Sequence, residues 1–156
     1  MKKIIISPYS RRLRGKEGIN PKNYPYWKEV IKGLKDKGIY ILQIGVLGEE
    51  KIEGVDGFLT NQPLTKLEEL IKEYNTWISI DNFFQHFGDL IGKSGIVIFG
   101  QSDPLIFGHS TNDNILKDRK YLRQDQFNLW EAVEFNKECF VEPQIVIDKV
   151  LNKLGE

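Results

Sequence analysis

The chain has 156 residues, and its 22 lysine and arginine residues balance 22 aspartate and glutamate residues. This length suits one compact hydrophobic core, so we expect a single domain spanning residues 1–156. The neutral balance excludes a global field that would attract nucleic acid or an anionic membrane, and no apolar run approaches the roughly 20 residues of a membrane span.

Localisation is predicted from the first residues and from the cysteine content. The apolar run in "MKKIIIS" is too short for a secretory signal, and the charged segment "RRLRGKEG" follows soon after it. A single cysteine, Cys139, excludes an internal disulfide and fits a reducing compartment. We therefore expect a cytoplasmic protein without a transmembrane segment.

Four short β-branched segments predict the strands of a parallel sheet, because each is apolar almost throughout instead of alternating. They cover residues 3–7, 39–45, 76–80 and 95–100. Helical patterns separate and follow them, at residues 24–38, 64–74 and 82–92 and from Pro143 onward. Strands alternating with helices predict a Rossmann-like α/β domain with helices on both faces of a parallel sheet.

Two local predictions accompany this fold. In the helix at residues 82–92 we expect Phe83, Phe87, Leu90 and Ile91 to face the core. Residues 101–114 are rich in Asp, Asn, Gly and His and predict a long loop. In open α/β sheets ligands bind beyond the carboxyl ends of the strands, so the segments that follow the strands are the candidate site.

The loop after the first strand is basic. It carries Arg11, Arg12, Arg14, Lys16 and Lys22. Such a cluster at the carboxyl edge of a sheet suits a phosphate or diphosphate, because arginine forks bind the oxygens in pairs and lysine adds a point charge. A solvated loop explains the same charges about equally well, and a nucleic-acid backbone is the least favoured partner.

Acidic residues follow the second strand, in "GVLGEE". Glu49 or Glu50 could accept hydrogen bonds from ribose hydroxyls, which is the role of an acidic residue in dinucleotide folds. The spacing is not GxGxxG, so a plain turn is an equal explanation. The sequence does not show which of the two glutamates would face the ribose.

The segment "DNFFQH" follows the third predicted strand. Asp81 or Asn82 can cap the next helix, whose first N–H groups favour an anion, and His86 lies one turn further on. By spacing alone, a capping residue and a histidine packed in the core is the more common arrangement. A ligand site at the same helix N-terminus is the alternative.

The segment "FGQSDP" follows the last predicted strand. Ser102 and Asp103 could hydrogen-bond a ligand, or Asp103 could only shape the turn before Pro104. No hydrolase elbow or Walker loop is present, which disfavours hydrolase and P-loop functions. No Asp-x-Asp pair exists, and Asp81, His86, His109 and Cys139 are too scattered to indicate a metal.

Together these segments resemble the C-terminal, nucleotide-sugar-binding domain of the heptosyltransferase-like glycosyltransferases, glycosyltransferase family 9 with the GT-B fold. "PKNYPYWKEVIKGLKDKG" is similar to that family's Lys-x-aromatic-Pro followed by a helix with a tryptophan. "DNFFQH" resembles Asp-(Ser/Thr)-Gly-x-x-His, and "IVIFGQSDP" resembles an apolar strand followed by Phe-Gly-x-(Thr/Ser)-Asp-Pro. "CFVEPQIVIDKVLNKL" is similar to the family's closing cysteine and helix, so four motifs occur in the family's order.

The resemblance implies residue roles. Lys22 would meet the diphosphate of a nucleotide sugar, and Glu49 or Glu50 would face the ribose. Asp81 and Asn82 would hold the diphosphate or the sugar with His86 beside them. The family's donors are nucleotide-activated sugars, often ADP-linked, handled without a catalytic metal, so no metal or other cofactor is expected.

Two departures from the family pattern leave the function open. Phe83 stands where the family has glycine, and a GT-B enzyme has two such domains, the other of which usually supplies the catalytic base and acceptor site. We expect a glycosyltransferase, or a subunit of one, completed by a partner chain or by dimerisation, with its base unassigned among Asp81, His86 and Asp103. The alternative is a non-catalytic nucleotide-binding or protein-interaction module, and a deoxyribosyltransferase-type enzyme is a weaker third reading.

Overall fold

One six-stranded parallel sheet forms the centre of the protein, in a computed structural model that describes all residues from Met1 to Glu156. The strands are β1 Lys3–Ser7, β2 Tyr40–Gly45, β3 Gly57–Thr60, β4 Thr76–Ile80, β5 Ile96–Phe99 and β6 Asp113–Leu116. The helices are α1 Trp27–Lys35, α2 Leu64–Glu73, α3 Phe83–Ile91, α4 Pro104–Phe107 and α5 Pro143–Leu154. The strand order β3-β2-β1-β4-β5-β6 is that of a Rossmann fold, which confirms the predicted class.

The sheet has a hydrophobic core on each face, because successive side chains of a strand point to opposite sides. In β1, Ile4 and Ile6 pack with the buried faces of α1 and α5, whereas Ile5 packs with those of α2 and α3. All three isoleucines are 1% exposed or less. Since both faces are covered, a nearly continuous apolar strand is what this position requires.

Two strands escaped the sequence prediction, and both lie at the edges of the sheet. β3 is short and only half-buried, and β6 has the polar sequence "DNIL". An edge strand has one neighbour and need not be apolar. The long loop predicted at residues 101–114 was therefore wrong, because it contains α4 and the first residues of β6.

The predicted core face of α3 was also partly wrong. Phe83 and Leu90 are 56% and 79% exposed, while Phe84 is buried against Trp77 with ring centroids 5.4 Å apart. The cause is Gly88: a Cβ atom there would overlap the Trp77 indole, so the glycine lets α3 approach the sheet closely along the face of Phe84. None of the helices combines the length and the apolar character that crossing a membrane requires.

Candidate functional site

A cleft of about 590 Å³ opens at the carboxyl ends of β1, β2 and β4. Its walls come from the first loop, the turn after β2, the start of α2 and the start of α3. Five residues predicted from the sequence as site residues lie along it: Lys22, Glu49, Asp81, Asn82 and His86. The segments that the chain separates by up to 64 positions thus meet at one edge of the sheet, as parallel topology requires.

Asn82 is the N-cap of α3. Its side-chain oxygen accepts a hydrogen bond from the Phe84 backbone N–H at 3.0 Å. Its side-chain nitrogen donates to the Ser7 carbonyl, the Ser7 hydroxyl and the Tyr9 carbonyl at 3.1–3.2 Å. The cap therefore fixes the N-terminus of α3 against the end of β1, with the positive end of the helix dipole at the cleft.

Lys22 is a partly buried cation without an ion-pair partner. Burial lowers the pKa of its amine, with Arg11 and Arg123 acting in the same direction and Asp81 opposing them. The amine lies 5.6 Å from the ring centroid of Trp130. A cation held in this way stabilises any anion that enters beside it, because the cost of removing it from water is already incurred.

The other cations of the first loop are largely engaged within the protein. The Arg11 guanidinium donates to both carboxylate oxygens of Glu131, at 2.6 and 3.1 Å, and lowers the pKa of Glu131 to about 2. Arg12 donates to the Gly48 carbonyl and Lys16 donates to Glu134. The loop is tied to residues 131–134, and Lys22 is left as its unpaired charge at the cleft.

The structure separates the two glutamates of "GVLGEE". Glu49 lines the cleft, where its carboxylate accepts a hydrogen bond from the Val46 N–H at 2.7 Å, and burial raises its pKa. A Cβ atom at Gly45 would overlap this carboxylate, so the glycine lets the Glu49 side chain lie against the end of β2. Glu50 is exposed outside the cleft lining, and its backbone carbonyl accepts from the Gln43 side chain.

Ser102 and Asp103 are buried, and they line neither this cleft nor a smaller cleft that adjoins it. Asp103 caps α4 by accepting from the Leu105 N–H at 2.9 Å. It also accepts two hydrogen bonds from Arg119, at 3.0 and 2.7 Å, which lower its pKa. This residue shapes the turn after β5, and contact of either residue with a ligand stays a prediction.

A second, smaller cleft of about 330 Å³ adjoins the first. Lys22, Asp81 and His86 line both clefts, and we call these three residues the junction. The far wall of the second cleft includes Arg123 and Trp130, whose guanidinium carbon and ring centroid are 3.5 Å apart. Sequence reasoning missed this wall, because residues 117–142 are mostly irregular and show no periodic pattern.

His86 is exposed at the junction, so the core packing that spacing alone favours for it was wrong, whereas the capping of α3 by Asn82 is confirmed. Its Nδ1 lies 2.8 Å from Nε2 of His109, and Nδ1 of His109 lies 3.2 Å from the Asp89 carboxylate. No group of three or more His, Cys, Asp or Glu side chains is arranged to hold a metal ion.

No protein-family model matches the sequence, and no curated protein matches it significantly. Solved structures do match. The ADP-heptose LPS heptosyltransferase II of E. coli superposes with a TM-score of 0.67 at 15% identity, over 98% of this chain and 46% of that one. The dodecameric iron-containing heptosyltransferase TibC of E. coli, solved with ADP-D-beta-D-heptose, gives 0.67 at 17% identity, over 99% and 46%.

A glycosyltransferase of family 9 from Veillonella parvula gives a TM-score of 0.66 at 14% identity, over 98% of this chain and 46% of that one. At such identities the likeness establishes the fold alone. The fold is that of one Rossmann-like half of a GT-B glycosyltransferase, and the predicted resemblance to the C-terminal half of the heptosyltransferases is confirmed at that level. The chain spans a little under half the length of these proteins.

Proposed function

We propose that the protein binds a nucleotide diphosphate sugar, as the donor-binding half of a glycosyltransferase. The observation that carries the proposal is the position of Lys22, an unpaired and partly buried cation that lines the cleft. The capped N-terminus of α3 lies at the same cleft. A diphosphate placed there meets a lysine point charge and the positive end of a helix.

The rest of the cleft suits the nucleoside. Its volume of about 590 Å³ falls in the range usual for small-molecule sites. Glu49 lies where it would accept hydrogen bonds from ribose hydroxyls, and Ile44, Leu59 and Leu67 supply an apolar wall for a base. Asp81, an acceptor when ionised, and His86 would face the sugar at the junction.

Lys22 and the N-terminus of α3 also bear on whether donor binding needs a metal ion. In this proposal Lys22 and the α3 N-terminus balance the charge of the diphosphate, which is the work that a divalent cation does in metal-dependent transferases. The sequence has no Asp-x-Asp pair, in keeping with this assignment. We therefore propose metal-independent donor binding.

The cleft is assigned to the donor, and the proposal places the acceptor site and the catalytic base elsewhere in the enzyme. The matched structures are about twice as long as this chain, since it covers 46% of them. We propose that a partner chain or a second copy of this chain completes the transferase. The closing half would face the carboxyl edge of the sheet, where the two clefts open.

A non-catalytic nucleotide-binding or protein-interaction module is the second candidate. It is favoured by Phe83, whose exposed ring lines the cleft at a position where the resembled family has glycine. Sugar transfer or nucleotide-sugar hydrolysis by the purified chain, or by its complex with a partner, would count against this candidate.

Calorimetry tests the proposed function. The purified chain is titrated with ADP, UDP and GDP and with their sugar-linked forms, alongside Lys22→Met and Lys28→Met. Lys28 is a matched control, because it pairs with Glu53 on the exposed surface of α1. We expect Lys22→Met to weaken nucleotide binding about tenfold or more, since charge-assisted hydrogen bonds contribute about 1.5–3 kcal/mol.

The loss should be larger at low salt than at high salt, because the contribution is one of charge. Lys28→Met should bind like the wild type. No binding of any nucleotide at millimolar concentration would overturn the proposal, and equal affinities for Lys22→Met and the wild type would remove Lys22 from the site.

A further inference from the structure

Asp89, His109 and His86 form one chain of polar contacts that ends at the junction. His86 and Asp89 lie three positions apart on the same face of α3, and His109 reaches them from the segment between α4 and β6. One carboxylate oxygen of Asp89 lies 3.2 Å from Nδ1 of His109, and the other accepts a hydrogen bond from the Thr111 hydroxyl at 3.2 Å. The carboxylate is therefore held in place at the outer end of the chain.

The tautomers of the two rings follow from the carboxylate. An ionised carboxylate beside a ring nitrogen favours the tautomer with its proton on that nitrogen, so Nδ1 of His109 carries the proton. When both rings are neutral, Nε2 of His109 is then an acceptor, and the short contact of 2.8 Å requires that Nδ1 of His86 donate to it. The one nitrogen left unprotonated and unpaired is Nε2 of His86, in the residue that lines both clefts.

We propose that Asp89 and His109 are positioning residues that hold Nε2 of His86 as an unprotonated acceptor, which makes the junction select a sugar hydroxyl over a phosphate oxygen. A hydroxyl donates a hydrogen bond to such a nitrogen. A phosphate oxygen offers only lone pairs and is disfavoured there. The proposal rests on the proposed function for the identity of the ligand, and it assigns the diphosphate to Lys22 and the sugar to His86.

The charges around His86 are compatible with this division. Lys22 lines both clefts and Arg123 lines the second, and both attract phosphate, while Asp81 repels it and accepts hydrogen bonds from hydroxyls. Without a fixed tautomer, a histidine beside two cations could donate to phosphate as readily as it accepts from a sugar. The contacts that run from Asp89 through His109 to His86 remove that ambiguity.

The first test is the tautomer. The sequence has two histidines, so nitrogen-15 spectra of the imidazoles of the tag-free chain contain two rings, and His109→Ala assigns them. At about pH 8, above the ordinary titration range of histidine, we expect His86 to carry its proton on Nδ1. In Asp89→Ala the carboxylate that favours this tautomer is absent, so we expect part of the His86 population to carry its proton on Nε2. An Nε2-protonated His86 in the wild type, or no change in Asp89→Ala, overturns the proposal.

The second test is selectivity, which a merely structural hydrogen bond would not change. We expect the ratio of affinities for a sugar-linked nucleotide over the bare nucleoside diphosphate to fall about three- to tenfold in Asp89→Ala, because Nε2 of His86 is then protonated in part of the population and donates to a phosphate as well. His109→Ala, which leaves His86 free to choose its tautomer, should lower the ratio in the same direction. An unchanged ratio in both variants overturns the selectivity.

These results are distinguishable from failure of the proposed function. If no nucleotide binds the wild type, the proposed function fails and the selectivity for a nucleotide sugar fails with it. The imidazole spectra need no ligand and still decide whether Asp89 and His109 set the tautomer of His86.

Discussion

The side chain of Asn82 joins the end of the first strand to the start of α3, because its nitrogen donates to both the carbonyl and the hydroxyl of Ser7 at 3.2 and 3.1 Å. The same side chain caps α3 through the Phe84 N–H. One residue thus sets the geometry of the helix N-terminus to which we assign the diphosphate. Asn82 therefore does more than cap α3, because it also ties the helix to the end of β1 and to the loop that follows it.

Asn82→Ala should lower the free energy of unfolding by about 2–3 kcal/mol, since it removes an N-cap and leaves the Ser7 and Tyr9 carbonyls without their donor. Asn82→Ser is the matched control, because its hydroxyl can still cap the helix whereas the donor to the Ser7 and Tyr9 carbonyls is lost. We expect an intermediate loss for it in urea unfolding. Equal stability of Asn82→Ala and the wild type would show that the cross-link is not needed.

Phe83 and Phe84 are adjacent in sequence and opposite in burial, at 56% and 1% exposed. We expect Phe83→Ala to change the free energy of unfolding by less than about 1 kcal/mol, because its ring stacks only on Phe87 at the surface. Phe84→Ala should cost about 3–5 kcal/mol, since it leaves a cavity against Trp77. Similar losses for both variants, measured in the same unfolding experiment, would contradict the placement of α3.

Glu49→Gln and Glu50→Gln should have different effects on binding. The amide at position 49 can still accept from the Val46 N–H but bonds ribose hydroxyls more weakly than a carboxylate, so nucleotide affinity should fall by about three- to tenfold. Glu50→Gln, outside the cleft lining, should bind like the wild type in calorimetry. A larger loss of nucleotide affinity in Glu50→Gln than in Glu49→Gln would place Glu50, and not Glu49, beside the ribose.

Glu49→Gln should also change how stability depends on pH. Burial raises the pKa of Glu49 in the folded state, so the folded protein favours its protonated form. Its contribution to stability is present below the pKa of the unfolded chain and is lost as pH rises through the folded pKa. We therefore expect Glu49→Gln to gain stability relative to the wild type as pH rises from about 4 to 7.

The pKa of Glu131 is shifted in the opposite direction from that of Glu49. The hydrogen bond from Arg11 lowers its pKa from 4.5 to about 2, so its stabilising contact with the first loop is present above pH 4.5 and is lost as pH falls toward 2. We expect the melting temperature of the wild type to fall more steeply over this range than that of Glu131→Gln. Glu134→Gln, at an exposed ion pair with Lys16, should keep the steep fall.

The central strands were predictable from the sequence, and the edges were not. Segments such as "KIIIS" and "TWISI" are apolar almost throughout because helices cover them on both sides, and these two strands begin and end at the predicted residues. β6 carries Asp113 and Asn114, whose polarity an edge position tolerates. The close approach of Gly88 to Trp77 depends on tertiary packing that helical periodicity does not encode.

The candidate site shows the same division. Topology brings Lys22, Asn82 and His86 to one edge of the sheet, which the order of strands and loops already indicated. The pairing of His86 with His109 joins residues 23 positions apart on different elements, and no spacing rule predicts it. The choice between Glu49 and Glu50 required the path of the turn after β2.

The most direct test of the central claim is a crystal structure of the protein with ADP. We expect diphosphate oxygens within hydrogen-bond distance of the Lys22 amine and of the first N–H groups of α3, with a ribose hydroxyl hydrogen-bonded to Glu49. A nucleotide bound elsewhere, or a diphosphate that makes no contact with Lys22 or with α3, would contradict that claim.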